Sequence, residues 1–188
     1  SMFPMLMVMA MGMVGFLALP MAIVEEREKG TLNAIFLTPI KTGEFIAGKS
    51  LFSLFLALTT IFVMLSVNRK WSANSGYLVM IIFSGTLMTI FTGLVIANFA
   101  RTQAAVNAIG TTLFLFFQMI PSLQHSSEAV RSVAPFVPST YIFSGLRKAM
   151  FLDLSKVTIN DDILTIVILT TVAYLVAHVV YRFKQADK

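Results

Sequence analysis

Cysteine is absent from the 188 residues, which excludes disulfides and thiolate metal sites. Charge is scarce: 12% of the residues are Asp, Glu, Lys or Arg, where a soluble domain carries about a quarter. There are two histidines, His125 and His178, widely separated and without thiolates to help them hold a metal ion. The 14 Lys and Arg residues give a formal charge of +5 but form no basic tract. That argues against nucleic acid and for anionic membrane lipids as partners. No nucleophile, base and orienting group are arranged for hydrolysis, so neither enzymatic activity nor a cofactor is expected of this chain.

What is present is apolar. Hydrophobic residues make up 57% of the chain and its mean hydropathy is +0.83, so a bilayer is its natural solvent. Windows nearly free of charge and about 20 residues long fall at 2–24, 48–68, 77–100, 103–123 and 162–182. A helix satisfies its own backbone hydrogen bonds in lipid. The expected fold is therefore an all-α polytopic membrane protein, one transmembrane domain over 1–188 with about five crossing helices. The first run has no positively charged start and no small-residue cleavage site, and reads as a retained span.

With alternating crossings, the segment after the first span, Arg101 and the carboxyl tail share one side and hold eight Lys and Arg; the other side holds six. The positive-inside rule makes the first group cytoplasmic. A multi-pass protein of the plasma membrane is expected, with the amino terminus of this chain outside and its carboxyl terminus inside. Trp71 and Tyr77 flank the small outer loop, where amphipathic rings prefer the interface. The segment 124–157 is too apolar for a solvated linker. Pro135 and Pro138 divide it, Ser139 can cap its second half, and Ile142, Leu146, Ala149 and Met150 keep helical spacing. Two short helices lying in, or dipping into, the outer leaflet are expected.

The charged cluster Glu25-Glu26-Arg27-Glu28-Lys29 follows an uncharged run directly and opens the segment 25–47. Thr31 can cap a short helix whose apolar face is Leu32, Ile35 and Phe36, and Pro39 stops it. Two turns of helix do not persist alone, so this one needs a partner surface. Thr42-Gly43-Glu44 then starts the helix of the second span.

These residues resemble the permease family of type-2 ABC transporters, whose signature runs E-R-E-x-G-T-L, then T-P, then E-x-x-x-G-K leading into a span. Here it reads Glu26-Arg27-Glu28-Lys29-Gly30-Thr31-Leu32, Thr38-Pro39, and Glu44 with Gly48-Lys49. A second block, Pro138-Ser139-Thr140-Tyr141 with Gly145-Leu146-Arg147, is similar to the segment before the family's last span. Asn33 stands where the family often has Glu, and Ser139 where it often has Leu. The family usually has six spans; this chain has about five, lacking the first.

The resemblance implies a membrane-spanning subunit of an ATP-driven exporter, with ATP and Mg bound by a separate ATP-binding cassette subunit and a second permease copy or paralogue completing a dimer. The helix after Gly30 and Thr31 would be the coupling helix seated in a groove of that subunit. Glu25 to Lys29 would supply ion pairs, Leu32, Ile35 and Phe36 the anchor, and Pro39 the stop. The bland alternative is a charged cap that keeps the first helix from sliding. Pro138, Tyr141 and Arg147 would belong to an outer gate. Asn98, Asn107 and Gln118 are polar groups within spans, and either line a substrate path or bond between helices. The apolar spans point to a hydrophobic or amphipathic cargo. An ATP-independent channel or carrier and a structural anchor subunit are the competing classes.

Three patterns are decoys. Gly43 to Ser50 spells the phosphate-loop pattern, but the mechanism requires a strand, a loop and a helix, and Glu44 would put negative charge in the cradle. The run Met5, Met7, Met9, Met11 and Met13 steps by about 200° on a helix and cannot converge on a copper ion. Gly85, Thr89, Gly93 and Ala97, like Ala104, Ala108 and Thr112, recur at the spacing that lets helices approach closely.

Overall fold

The first span is one long helix with a widened turn in its middle, and Pro20 explains the widening. In this computed structural model α1 (Phe3–Met13) passes through a π-helical turn (Val14–Ala18) into α2 (Leu19–Glu28). The Leu19 N–H reaches Val14 O, five residues back. Pro20 has no N–H, and its ring would press on the carbonyl of Phe16 in a regular helix, so the turn opens instead. The structure describes residues 2–30, 42–67, 75–123, 128–151 and 160–186, without the side chains of 129–131, 160 and 183–186. Thr31, Leu32, Ile35, Phe36 and Pro39, and also Trp71 and His125, lie outside the described residues.

The helix α3 (Thr42–Val67) returns, α4 (Ser75–Phe99) and α5 (Gln103–Leu123) form a hairpin, and α8 (Asn160–Ala186) makes the last pass. Between α5 and α8 lie α6 (Glu128–Val133), a 3₁₀ turn (Ala134–Phe136) and α7 (Pro138–Phe151). Every described element is helical, and five helices are long and apolar enough to cross a membrane. The protein is an all-α polytopic membrane protein.

The first span and α4 form the centre. Met7, Val8, Met11 and Phe16 of the first meet Leu78, Ile81, Ile82 and Met88 of the second in the main core cluster. The methionines divide as a 200° step requires: Met7 and Met11 are fully buried, while Met13 is 48% exposed on the opposite face. The small residues of α4 earn their place against the widened turn. A methyl group on Gly93 would collide with Gly15 O, one on Gly15 with the backbone of Thr89, and one on Gly110 of α5 with Phe16 O. The π turn thus pushes its carbonyls outward, and glycines receive them. Ala104, Ala108 and Thr112 behave differently: all three are exposed on the outer face of α5.

The helix α7 packs into the bundle. Its Ile142 and Leu146 are fully buried, Ile142 lies against Gly85, and Gly145 lies against Ile81 and Asp162. The ammonium of Lys148 joins α7 to the start of α8 through Asp162 Oδ2 at 2.6 Å, an oxygen that also accepts from Ser144 Oγ at 3.4 Å. The Tyr141 hydroxyl donates to Pro135 O at 3.0 Å and holds α7 to the turn before it.

Candidate functional site

The charged end of the first span, where α2 runs out, holds three other spans in place. Arg27 is half-buried, and its Nη1 donates to Ala97 O at 3.0 Å and Ala100 O at 3.4 Å. These carbonyls close the C-terminal turn of α4, the negative end of that helix's dipole, where a guanidinium is favoured. The next residue serves the opposite pole. Glu28 Oε2 accepts from the Gln103 N–H at 3.3 Å, at the positive N-terminal end of α5, whose cap is Thr102: its Oγ1 accepts from the Ala105 N–H at 3.2 Å. Adjacent residues of opposite charge therefore bracket the tight turn Ala100–Thr102.

The three remaining members of the cluster complete the set. Glu26 Oε1 meets Lys49 Nζ at 3.3 Å, joining α2 to α3, and Lys49 also lies 5.6 Å from the Phe45 ring centroid. Glu25 accepts from Lys29 one turn on; that hydrogen bond, and then the charge of Glu25, raise the Lys29 ammonium above its ordinary pKa. Gly30 follows with φ +70°, a left-handed residue ending the helix. The chain then leaves the described residues and enters the expected coupling helix.

All five charged residues expected to face a partner are thus engaged within the chain, and three of them, Glu26, Arg27 and Glu28, reach other spans. Their intramolecular partners were not legible beforehand, because a carbonyl at the end of another span carries no sequence signature. Lys49 gave the one available signal, a cation at the surface end of the second span.

The polar residues of the expected substrate path stand apart. Asn98 lies near the Arg27 end and donates to Leu94 O at 3.0 Å. Asn107 is exposed on the outer face of α5. Gln118, near the opposite end, donates from Nε2 to Met5 O at 3.1 Å, while its buried Oε1 has no partner among the described residues. Of the expected gate residues, Pro138 begins α7, Tyr141 bonds to Pro135, and Arg147 is exposed beside the Lys148–Asp162 pair. The phosphate-loop lookalike, Gly43 to Ser50, is continuous helix within α3. Among the described residues no three His, Asp or Glu side chains gather as a metal site would need.

Beside the cluster a pocket of about 510 Å³ lies between α2, α3, α4 and α8. Leu51, Leu54, Leu87, Phe91 and Leu94 make its walls, with Arg27, Asn98, His178 and Tyr181 towards the Glu28 end. Tyr174 stacks on His178 at 6.0 Å and meets Phe91 edge-on at 5.3 Å.

Comparison with curated proteins and with solved structures finds no match. A family model described as "ABC-2 family transporter protein" matches residues 1–180, which takes in the charged cluster, the α7 block, the first four spans and most of the fifth. The chain belongs to that family, and is a membrane subunit of an ABC transporter.

Proposed function

We propose that this subunit works in an ATP-driven exporter, paired as a dimer and coupled to two ATP-binding subunits through residues 25–41. The bracketing of the Ala100–Thr102 turn by Arg27 and Glu28 carries the proposal. A push on the segment beyond Gly30 meets a first span already fixed to α3, α4 and α5, so it tilts a block of helices and does not merely bend one. Closure of the ATP-binding subunits, on this reading, enters through Leu32, Ile35 and Phe36 and leaves as a movement of the spans. The carboxyl terminus is cytoplasmic, the amino terminus of this chain is outside, and the membrane is the plasma membrane.

The outer face of α5 supports the dimer. It exposes Asn107 together with Ala104, Ala108 and Thr112, and a carboxamide within a span belongs against protein or a wet cavity and not in lipid. A second copy facing it makes a path for a hydrophobic or amphipathic substrate, with α7 and its Pro138, Tyr141 and Arg147 closing the outer end.

The test is copurification with an ATP-binding subunit from coexpressed genes, with substrate-stimulated ATPase as the second readout. Phe36→Asp releases the partner, and Arg27→Gln keeps the partner but loses stimulation. Binding and stimulation retained in both variants overturn the coupling assignment.

A further inference from the structure

We propose that the pocket between α2, α3, α4 and α8 is a binding site for one acyl chain of an anionic phospholipid from the leaflet that meets the Glu28 end of the first span. Three observations converge. The first is length. The pocket runs from Gly43 to Leu54 on α3 and from Leu87 to Asn98 on α4, eleven residues each, or about 16 Å of helix. Half of a bilayer's hydrocarbon core is about 15 Å, so the pocket is one leaflet deep and lies along the lipid chains.

The second is polarity. Leu54, Leu87 and Phe91 lie at the deep end, while Arg27, Asn98 and Tyr181 lie at the end where the leaflet has its headgroups. A compact soluble molecule would not need this one-ended arrangement, but a lipid does. The third is charge. A guanidinium has five N–H donors, and both hydrogen bonds of Arg27 leave from Nη1. Among the described residues no carboxylate pairs with Arg27, whereas the neighbouring Lys49 is paired with Glu26. Arg182 is exposed one residue beyond Tyr181. The carboxylates around this mouth are engaged elsewhere, Glu25 with Lys29, Glu26 with Lys49 and Glu28 with the Gln103 N–H, while Glu44 is exposed beside Gly43. A phosphate diester fits the remaining fork of Arg27.

The entrance is lateral. Both α3 and α8 pack on α4, and they come together near Gly43, where an added methyl would lie 3.6 Å from the Tyr181 hydroxyl. Towards mid-membrane, Leu51 and Tyr174 are exposed at the sides of the wedge, and a chain slides in between them. The site needs only the bilayer placement of the spans and not the direction of transport.

The purified 188-residue chain in detergent, given equimolar dioleoyl phosphatidylglycerol and dioleoyl phosphatidylcholine, tests this by native mass spectrometry. The wild type retains a single phosphatidylglycerol per chain, preferred about fivefold, the factor expected for one cation at a membrane surface. Ala47→Phe and Leu54→Trp, which fill the pocket, lose the retained lipid, whereas Leu56→Phe on the outer face of α3 keeps it. Arg27→Gln brings the two lipids to equal retention. Equal retention of both by the wild type overturns the proposal with no variant needed, and so does undiminished phosphatidylglycerol in both filled chains.

Discussion

Arg27 of the first span donates to Ala97 O at the end of the third, 70 residues away in sequence and 3.0 Å away in space. A helix C-terminus at a membrane surface leaves carbonyls without intrahelical donors, and here another helix supplies the donor. Arg27→Gln removes the charge and the fork, at roughly 1.5–3 kcal/mol for hydrogen bonds to a charged group. Thermal unfolding in detergent should show a clear loss of stability for Arg27→Gln and a smaller one for Arg27→Lys, which keeps the charge but not the fork. Equal stability of the three proteins would remove the clamp as a structural element.

The glycines around the π turn should tolerate alanine far less well than Gly48 of α3. Gly93 and Gly110 face carbonyls of the first span with no room for a methyl, so Gly93→Ala and Gly110→Ala must push helices apart, at about 1–3 kcal/mol or more. Gly48 lies within α3 with nothing within 4 Å of an added methyl. Gly48→Ala should be neutral or stabilising by up to about 1 kcal/mol, the helix preference of alanine over glycine. Melting temperatures of the three variants measure the contrast, and a Gly93→Ala protein as stable as Gly48→Ala would refute the close approach.

The ion pair of Lys148 and Asp162 should matter more than its surface position suggests, because both side chains are largely covered, at 23% and 10% exposure. Removing Lys148 leaves the largely covered Asp162 carboxylate without its cation, and for fully buried pairs the loss of one partner costs about 3–5 kcal/mol; solvent reaching Lys148 makes the expected loss smaller. Lys148→Met and Asp162→Leu alone should each destabilise, and the double variant should recover most of the loss. An additive double variant would mean that the two charges act separately.

The crossings were legible because charge is almost absent from each window, and a stretch of that length so poor in charge has one solvent available to it. The face each helix turns inward was not. Lipid tails are as apolar as a protein core, so nothing in composition separates buried Met7 and Met11 from exposed Met13, or the packed stripe of α4 from the exposed one of α5. Pro20 was visible, but whether it kinks, widens or ends a helix depends on what stands opposite, and Gly93 and Gly110 come from other spans. Similarly, α7 was readable from Ile142, Leu146 and Ala149 because its other face is polar. The cluster Glu25 to Lys29 was conspicuous as a feature, yet its contacts with Lys49, Ala97 and Gln103 depend on tertiary approach.

The Glu26–Lys49 pair separates stability from coupling. Its side chains are each 30% exposed and 3.3 Å apart, and such a pair contributes only about 0.2–1 kcal/mol, so Glu26→Lys should barely move the melting temperature. It does place like charges between α2 and α3 at the point where a push from the segment beyond Gly30 would enter. Stimulated ATPase and transport should fall in Glu26→Lys and in Lys49→Glu, and the reversed pair Glu26→Lys with Lys49→Glu should recover a substantial part of both. Had the cluster served only as a charged cap for the first helix, the single variants would transport normally. If instead Glu26 met the partner subunit directly, the reversed pair would stay as defective as Glu26→Lys alone, so the double variant decides whether this ion pair acts within the chain or across the interface.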